Sequence, residues 1–395
     1  MTGPILLNRR ALTAGLALPF LARVAEAATP QSKKFVVIVC RGGMDGLSLA
    51  PPVGDPDYAG LRGGLALGEG ALPLDGYFAL NPALATIHAL ARAGQARIAP
   101  AVASPDRARS HFEAQDVLET GAANVYATAS GWLNRTVSAL SATRKIEALS
   151  VGATAPLILR GPAPAASWSP GRGVDTTARL PTLLQDLYRD DPLLGPALAR
   201  GLQTEDMART TGATRAADMM RPGGVAQGRG IAREMGVALA GFLIAPDGPQ
   251  LAAVSIDGFD THANQTGVLA GRLAALDALV EGLHSGLGAE WENTVVLAVT
   301  EFGRTARANG TGGTDHGTAS TALLLGGALK PGGIVGDWPT LRQPALFENR
   351  DVAPTLDLRA LSKGLLGEHM GVDRRALDTL IFPDSARVRA VSGLV

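Results

Sequence analysis

Acidic and imidazole side chains recur at the ends of apolar segments in this chain, often beside glycines. Divalent metal ions are bound by carboxylate oxygens and neutral imidazole nitrogens that converge from different segments. Any one Asp after a strand more commonly caps a helix or holds a turn. Taken together, the residues predict a metal site large enough for two ions, and the candidate ligands are Asp45, Asp260, His262, Glu301, Asp315 and His316.

Two short motifs carry most of this prediction. Asp260-Thr-His262 and Asp315-His316 each place an acid beside an imidazole within reach of one ion, and the glycines around them allow close backbone approach. The remaining histidines without a motif, which are His88, His284 and His369, are expected at the surface or in ordinary hydrogen bonds. The single cysteine excludes an intramolecular disulfide, and its apolar surroundings predict a small core residue.

Ser110 opens a predicted helix after the apolar run 96–100. Together with Glu113 it matches the pattern of a capping box, which by itself would explain a serine here. A serine at a helix N-terminus also lies where backbone N–H groups attract an anion, so the same residue can serve as a nucleophile. The arginines that could neutralise the oxygens of an anionic ester are Arg41, Arg109 and Arg304.

Alternating strands and helices must position these side chains. Short β-branched runs predict strands at 35–40, 96–100, 146–151, 251–256, 294–300 and 321–325. Helices are predicted from Asn81, with Pro82 in the first turn, to about residue 94, and from about 267 to 287. This alternation indicates an α/β fold with three α/β/α layers and a mainly parallel sheet, whose ligands bind beyond the carboxyl ends of the strands.

Composition favours one large α/β domain at residues 34–395, since 46% hydrophobic residues can form a large core. Residues 161–230 are rich in Pro, Gly, Ala and Thr, with one apolar stretch at 180–194, and are predicted to form an insertion or lid. Lys plus Arg equals Asp plus Glu at 36 each, and aromatic residues make up only 4%. Nucleic acid is therefore not expected as a partner.

The first 27 residues have the features of a twin-arginine signal peptide. Arg9-Arg10 precedes the apolar run 11–24, and Ala25-Glu26-Ala27 follows as a small-x-small cleavage site. The run is shorter than the roughly 20 residues of a membrane-spanning helix. We therefore expect cleavage after Ala27, a periplasmic or secreted product without stable membrane insertion, and the twin-arginine translocase as a partner during export.

Six motifs in a fixed order resemble the bacterial DUF1501 family over the whole mature chain. They are Arg41-Gly-Gly-Met-Asp45-Gly-Leu, Ser110-His-Phe with Glu119-Thr-Gly121, Gly131-Trp-Leu-Asn-Arg135, Asp260-Thr-His262-Ala-Asn-Gln265, Glu301-Phe-Gly-Arg-Thr305 and Asp315-His-Gly317. That family is typically exported by the twin-arginine route and is similar to the alkaline-phosphatase and sulfatase superfamily. Members of that superfamily use a parallel α/β/α sheet, two metals and a hydroxyl or thiol nucleophile at the start of a helix.

The resemblance implies roles for individual positions. Ser110 matches the superfamily nucleophile, because the helix behind it ends in Thr120-Gly121. Asp45 matches the metal ligand after the first strand. Asp260 and His262 resemble the Asp/His pair of one metal site, and His316 resembles its last ligand.

The second metal site departs from the superfamily pattern. Glu301 stands where the superfamily has the acid of an Asp-His pair, and Phe302 takes the place of the histidine. The resemblance therefore implies one or two divalent ions, with Zn²⁺, Mg²⁺, Mn²⁺ and Ca²⁺ not distinguished.

The expected function is metal-dependent hydrolysis of a small anionic phosphate or sulfate ester, with Ser110 as nucleophile and Arg41 and Arg304 as candidate catalytic residues. The alternative is a non-catalytic, metal-stabilised exported protein that binds an anionic glycan or an envelope partner, with Ser110 only a cap. An α/β-hydrolase esterase would need a Gly-x-Ser-x-Gly elbow between a strand and a helix, and none occurs.

Overall fold

The structure is a computed structural model that describes residues 32–143, 146–152, 155–169, 179–211 and 225–395. Ser32–Val395 forms one unit. The predicted signal peptide lies outside the described residues. Within the described ranges, no helix is both long and apolar enough to cross a membrane.

The core of the unit is an eight-stranded sheet, and two further strands form a separate antiparallel pair. The strands are β1 Lys34–Cys40, β2 Leu72–Pro73, β3 Ala79–Leu80, β4 Ala96–Ala103, β5 Ala148–Val151, β6 Ala166–Trp168, β7 Leu251–Ile256, β8 Thr294–Val299, β9 Ser320–Leu325 and β10 Leu356–Asp357. The order in the large sheet is β10-β4-β9-β8-β1-β7-β5-β6, and β2 and β3 form the separate pair. In the large sheet β1 pairs in parallel with β7 and β8, and β9 alone pairs antiparallel with both of its neighbours.

Each of the six predicted apolar runs forms a strand of this sheet. The differences lie at the ends: β4 continues to Ala103, and β5 begins only at Ala148. The strands that the sequence did not predict are two or three residues long, too short to show a period of two.

Helices cover both faces of the sheet, so the predicted three-layer α/β/α architecture is confirmed. The helices are α1 Gly46–Leu49, α2 Tyr58–Arg62, α3 Ala85–Arg92, α4 His111–Thr120, α5 Trp132–Ser141, α6 Arg179–Leu187, α7 Leu194–Thr210, α8 Val225–Ile244, α9 Gln265–Leu287 and α10 Leu358–Glu368. Along β1, Val36, Ile38 and Cys40 pack in the core beneath α3, α8 and α9, while the alternating residues face α4, α5 and α10. Burial raises the pKa of the Cys40 thiol, as expected of a core cysteine.

The direction of β9 places one predicted motif at the same edge as the others. In a purely parallel sheet, a segment that precedes a strand lies at the amino edge. Because β9 is antiparallel to β4 and β8, its first residue, Ser320, lies at their carboxyl edge. Asp315 and His316 just before β9 therefore reach the edge at which the segments after β1, β7 and β8 begin.

The predicted start of α3 is wrong by several residues. Asn81 accepts a hydrogen bond from Ala83 N at 3.0 Å and forms a turn, and the helix begins at Ala85. The first-turn N–H groups of Thr86 and Ile87 instead donate to the Asp277 carboxylate of α9, at 3.1 and 2.9 Å. A cap from another helix leaves no local motif in the sequence.

The described part of segment 161–230 contains β6, α6, α7 and the start of α8. α7 packs against β6 and α8 at the edge of the sheet. A role for this segment as a lid stays a prediction.

Close backbone contact between the segments after β8 and before β9 gives a test of the fold. A Cβ at Gly303 would lie 1.8 Å from Ala319 O. Gly303→Ala should therefore lower the free energy of unfolding by about 1–3 kcal/mol or more, measured by urea denaturation. The control is Gly60→Ala in α2, where nothing lies within 4 Å of the added Cβ. This variant should gain up to about 1 kcal/mol of stability, and equal effects of the two substitutions would contradict the packing described here.

Candidate metal centre

Three imidazole rings at the carboxyl edge of the sheet are each oriented by a hydrogen bond at the Nδ1 atom. The acceptors are two carboxylates and one backbone carbonyl. A ring that donates to such an acceptor through Nδ1 has its Nε2 available to bind a metal. The pairs are His111 with Glu301 Oε1 at 2.9 Å, His262 with Asp315 Oδ1 at 3.3 Å, and His316 with Arg109 O at 2.9 Å.

The three Nε2 atoms converge on the Asp260 carboxylate. The Nε2 atoms of His262 and His316 lie 3.1 and 3.3 Å from Asp260 Oδ1, and that of His111 lies 3.5 Å from Oδ2. The two Nε2 atoms of His262 and His316 are 3.1 Å apart. Two tetrahedral nitrogen ligands, each about 2.0–2.1 Å from a zinc ion, are separated by roughly 3.3 Å. These residues can therefore share one ion.

His111 supplies an independent sign of a missing partner. Its Nε2 is buried and has no hydrogen-bond partner among the described residues. A buried polar nitrogen without a partner is costly, and a metal ion would satisfy it. Together, the nearest ligand atoms of His111, Asp260 and His316 lie within 4.8 Å of one another. Three imidazoles and a carboxylate fit a divalent transition ion better than the all-oxygen sets that Ca²⁺ and Mg²⁺ prefer.

The protonation states suit this arrangement. Burial alone would raise the pKa of Glu301, but hydrogen bonds from His111, Gln115 and the Gly42 N–H outweigh it and hold this pKa at about 2. Burial would also raise the pKa of Asp260, and the hydrogen bond and charge of Arg304 reverse that shift and lower it. Both carboxylates are therefore anionic at neutral pH.

The imidazole pKa values shift in opposite directions. The hydrogen bond that His111 donates to Glu301 raises the pKa of His111, against the opposing effect of burial. Burial lowers the pKa of His316, which favours the neutral, metal-binding form of that ring.

Glu301 lies behind the cluster, where it orients His111. Its Oε1 accepts from Gly42 N at 2.9 Å and Gln115 Nε2 at 3.1 Å as well as from His111, and its Oε2 accepts from Thr300 Oγ1 at 2.9 Å. A carboxylate that holds a histidine ligand in this way fixes the ring orientation. The direct ligand role predicted for Glu301 therefore stays a prediction, with four protein donors already on its carboxylate.

Asp45 is not brought into the cluster. It is 1% exposed, and its Oδ2 binds Arg62, Gln265 and Ser48 Oγ, the last at 2.8 Å. Its Oδ1 accepts from Leu47 N at 3.1 Å and caps α1. Asp45 therefore has the ordinary role weighed for a lone Asp after a strand, that of a helix cap, and it also forms a buried ion pair with Arg62.

Arg304, a predicted catalytic residue, is buried and binds backbone. Its Nε donates to Gly43 O at 2.7 Å and its Nη1 to Thr314 O at 3.0 Å. Its Nη2 donates to Gly42 O, to Phe259 O and to the Asp260 carboxylate. With 0% of its side chain exposed, Arg304 positions Asp260, and a direct catalytic role for it stays a prediction.

Arg41 is the more accessible of the two predicted arginines, with 20% of its side chain exposed. It donates to Glu119 Oε1 at 2.6 Å, Gln115 Oε1 at 2.8 Å and Ser255 Oγ at 3.2 Å. These bonds occupy three of its five N–H groups, so two can bind an anion.

Ser110 is the N-cap residue of α4, but its side chain makes no capping hydrogen bond. The predicted capping box with Glu113 is therefore wrong, and the hydroxyl is free for another role. Both chain neighbours touch the cluster, because the carbonyl of Arg109 accepts from His316 and His111 points at Asp260. Arg109 has the left-handed φ of 58°, an uncommon conformation for a non-glycine residue.

Phe302 fills the place where the resemblance puts a second histidine. Its ring packs between His111 and His316, with a centroid distance of 4.8 Å to each. An apolar ring in this position offers no ligand atom. The contact therefore favours one ion over two.

Sequence reasoning missed His111 as a candidate ligand. The available signal was its position directly after Ser110, at a helix start on the same edge as the acidic motifs. The other histidines behave as expected: His88 contacts Pro73 O at 2.8 Å, His369 contacts Lys34 O at 3.0 Å, and His284 packs against Trp291.

The fold and site together define an α/β protein with a candidate metal centre at the carboxyl edge of its sheet. The model of the family "Protein of unknown function (DUF1501)" matches residues 86–381. The chain therefore belongs to the DUF1501 family, as its motifs predict. Its sequence matches no curated protein.

Solved structures of similar fold are distant. The C-terminal periplasmic domain of EptC from Escherichia coli, in complex with Zn, is 10% identical with a TM-score of 0.35, and the match covers 75% of this chain and 73% of that one. The phosphonate monoester hydrolase of Agrobacterium radiobacter is 11% identical with a TM-score of 0.37, and the match covers 74% and 68%. Ps i-CgsB is 11% identical with a TM-score of 0.40, and the match covers 91% and 77%.

Removal of one imidazole tests the metal centre. Wild-type protein should bind Zn²⁺. Free zinc at 100 times its Kd should raise the free energy of unfolding by about 2.7 kcal/mol. His316→Ala should weaken binding by at least about 100-fold, because it removes an Nε2 ligand whose ring is already oriented. Calorimetric titration and thermal unfolding with and without zinc measure both effects. His88→Ala is the control, and similar zinc binding by the two variants would refute the proposed ligand set.

Proposed function

We propose that this protein is an exported, metal-dependent hydrolase of a phosphate or sulfate ester, with Ser110 as its nucleophile. The proposal depends on one observation. The Ser110 hydroxyl does not cap its helix, and Ser110 lies in the chain between Arg109, which contacts the imidazole cluster, and His111, which belongs to it. A serine needed only for folding would cap its helix, and this one does not.

One divalent ion would be held by the Nε2 atoms of His111, His262 and His316 and by the Asp260 carboxylate. Asp315 supports the site from behind by binding His262 Nδ1. When bound, the ion supplies positive charge that lowers the pKa of a nearby hydroxyl and offsets the charge of an anionic ester.

The protein's own groups supply the remaining steps. The free N–H groups at the start of α4 and the two unpaired N–H groups of Arg41 bind the non-bridging oxygens of the ester. Ser110 Oγ loses its proton to solvent and attacks phosphorus or sulfur, the bond to the ester oxygen breaks, and that oxygen leaves as an alcohol after taking up a proton. Water then hydrolyses the seryl ester and releases phosphate or sulfate.

The Ser110 hydroxyl can be removed without loss of a cap. Ser110→Ala should lower the hydrolysis of aryl phosphate or sulfate esters by about 1,000-fold or more, with zinc affinity and unfolding free energy nearly unchanged. Ser285→Ala is the control, since Ser285 is a helix serine of α9 whose hydroxyl donates to Gly282 O at 3.1 Å. Steady-state kinetics with the metal-loaded proteins measures the difference.

Two other outcomes have definite meanings. If Ser110→Ala keeps the wild-type rate, the nucleophile is another group. If metal-loaded wild-type protein hydrolyses no ester but binds anions, the alternative of a non-catalytic envelope or glycan-binding protein is favoured.

Export through the twin-arginine route, to the periplasm or beyond, belongs to the same proposal. It is supported by Arg9-Arg10, the short apolar run and the Ala25-Glu26-Ala27 site. Replacing both arginines by lysine should leave uncleaved precursor in the cytoplasm, because the translocase reads the arginine pair as an address. Cell fractionation and the size of the product report this, and normal export of the double variant would rule out the pathway.

A further inference from the structure

A groove of about 660 Å³ opens beside the carboxyl end of β7. Its walls are apolar side chains of α8 and α9. Its floor is formed by the last two residues of β7 and the two residues that follow. The apolar wall residues are Ile231, Ala232, Met235, Val268, Ala275 and Leu279. Val268 is 40% exposed, so part of this apolar surface is open to solvent.

The groove lies next to the candidate metal centre. Asp257 and Gly258 line its floor and precede Asp260 by three and two residues. A stretch of three residues spans at most about 11 Å. Ser255 and Ile256 at the end of β7 also line the groove, so the groove reaches the carboxyl edge at which the metal ligands lie.

The end of the groove nearest Asp260 carries two groups of opposite charge, Asp257 and Arg272. Arg272 of α9 covers Gly258, since a Cβ at this glycine would lie 2.6 Å from Arg272 Nε. A ligand that enters here meets these two charged groups near the metal ligands and an apolar channel farther away. This polarity fits an amphiphile whose polar head lies at the candidate metal centre.

From this geometry we infer that the groove binds the organic group of the ester, and that the group is a hydrocarbon chain or another extended apolar moiety. The inference rests on the proposed hydrolase function and narrows its substrate class to amphiphilic phosphate or sulfate esters. Burial of each methylene in such a groove strengthens binding by up to about fourfold.

A second pocket beside the centre would serve a different substrate. It has a volume of about 230 Å³, includes Asp315, and is lined by polar groups such as Asn309, Asn349 and Arg350. A sugar ester would use such donors and acceptors. The apolar groove is nearly three times larger, which favours the amphiphile.

Alkylphosphonates of increasing length test the groove, because they carry the anionic head and have no ester bond to hydrolyse. Calorimetric titration of zinc-loaded wild-type protein compares methylphosphonate, butylphosphonate and octylphosphonate. Affinity should rise about two- to fourfold for each added methylene until the groove is filled. The double variant Met235→Gln with Val268→Thr should lose most of this rise and keep the wild-type affinity for methylphosphonate. Leu380→Gln alters an exposed leucine elsewhere and should behave as wild type.

Failure of the groove is distinguishable from failure of the proposed function. If methylphosphonate binds but chain length has no effect, or if the double variant keeps the full rise, the groove is not the subsite and the hydrolase proposal stands. If no phosphonate binds, the anion site fails and the groove proposal fails with it. If a sugar phosphate binds more tightly than octylphosphonate and Asn349→Ala weakens it, the polar pocket is the subsite instead.

Discussion

The site depends first on the buried guanidinium of Arg304. This one side chain binds the segments after β1 and β7 and the segment before β9, and it also holds the central carboxylate of Asp260. Removing a guanidinium from water costs several kcal/mol, which its hydrogen bonds to carbonyl oxygens and a carboxylate offset. Loops without regular structure thereby keep the fixed geometry that a metal centre requires.

A second condition is the direction of β9. The segment that carries His316 reaches the carboxyl edge only because this strand runs against its neighbours. Hydrophobic patterning identifies a strand but carries no information on its direction, so the sequence placed these residues correctly without revealing why. The antiparallel strand also brings Gly303 and Gly317 into direct backbone contact, with Gly317 N donating to Gly303 O at 2.8 Å.

Much of the fold and part of the site could be predicted from sequence. Long apolar runs such as those of β1 and β7 specify strands because a strand buried on both faces must be apolar throughout. The acid and imidazole pairs at Asp260 and His316 were recognisable because they follow or precede such runs. The cap of α3 and the ion pair of Asp45 were not, since both depend on partners outside the local motif, Asp277 and Arg62. Local motifs describe local bonds such as the capping of α1 by Asp45, and these two contacts are tertiary.

The three imidazoles differ in their access to water. His262 is 48% exposed and its partner Asp315 60%, whereas His111 is 26% exposed and rests on the fully buried Glu301. An ion would therefore meet solvent on the His262 side and be enclosed on the His111 side. Exchange of the ion with the medium should begin with detachment of His262, the ligand that water can most readily replace. The centre would load and release metal through one open side, and its kinetic lability would be set by the most exposed ring and not by the most tightly held one.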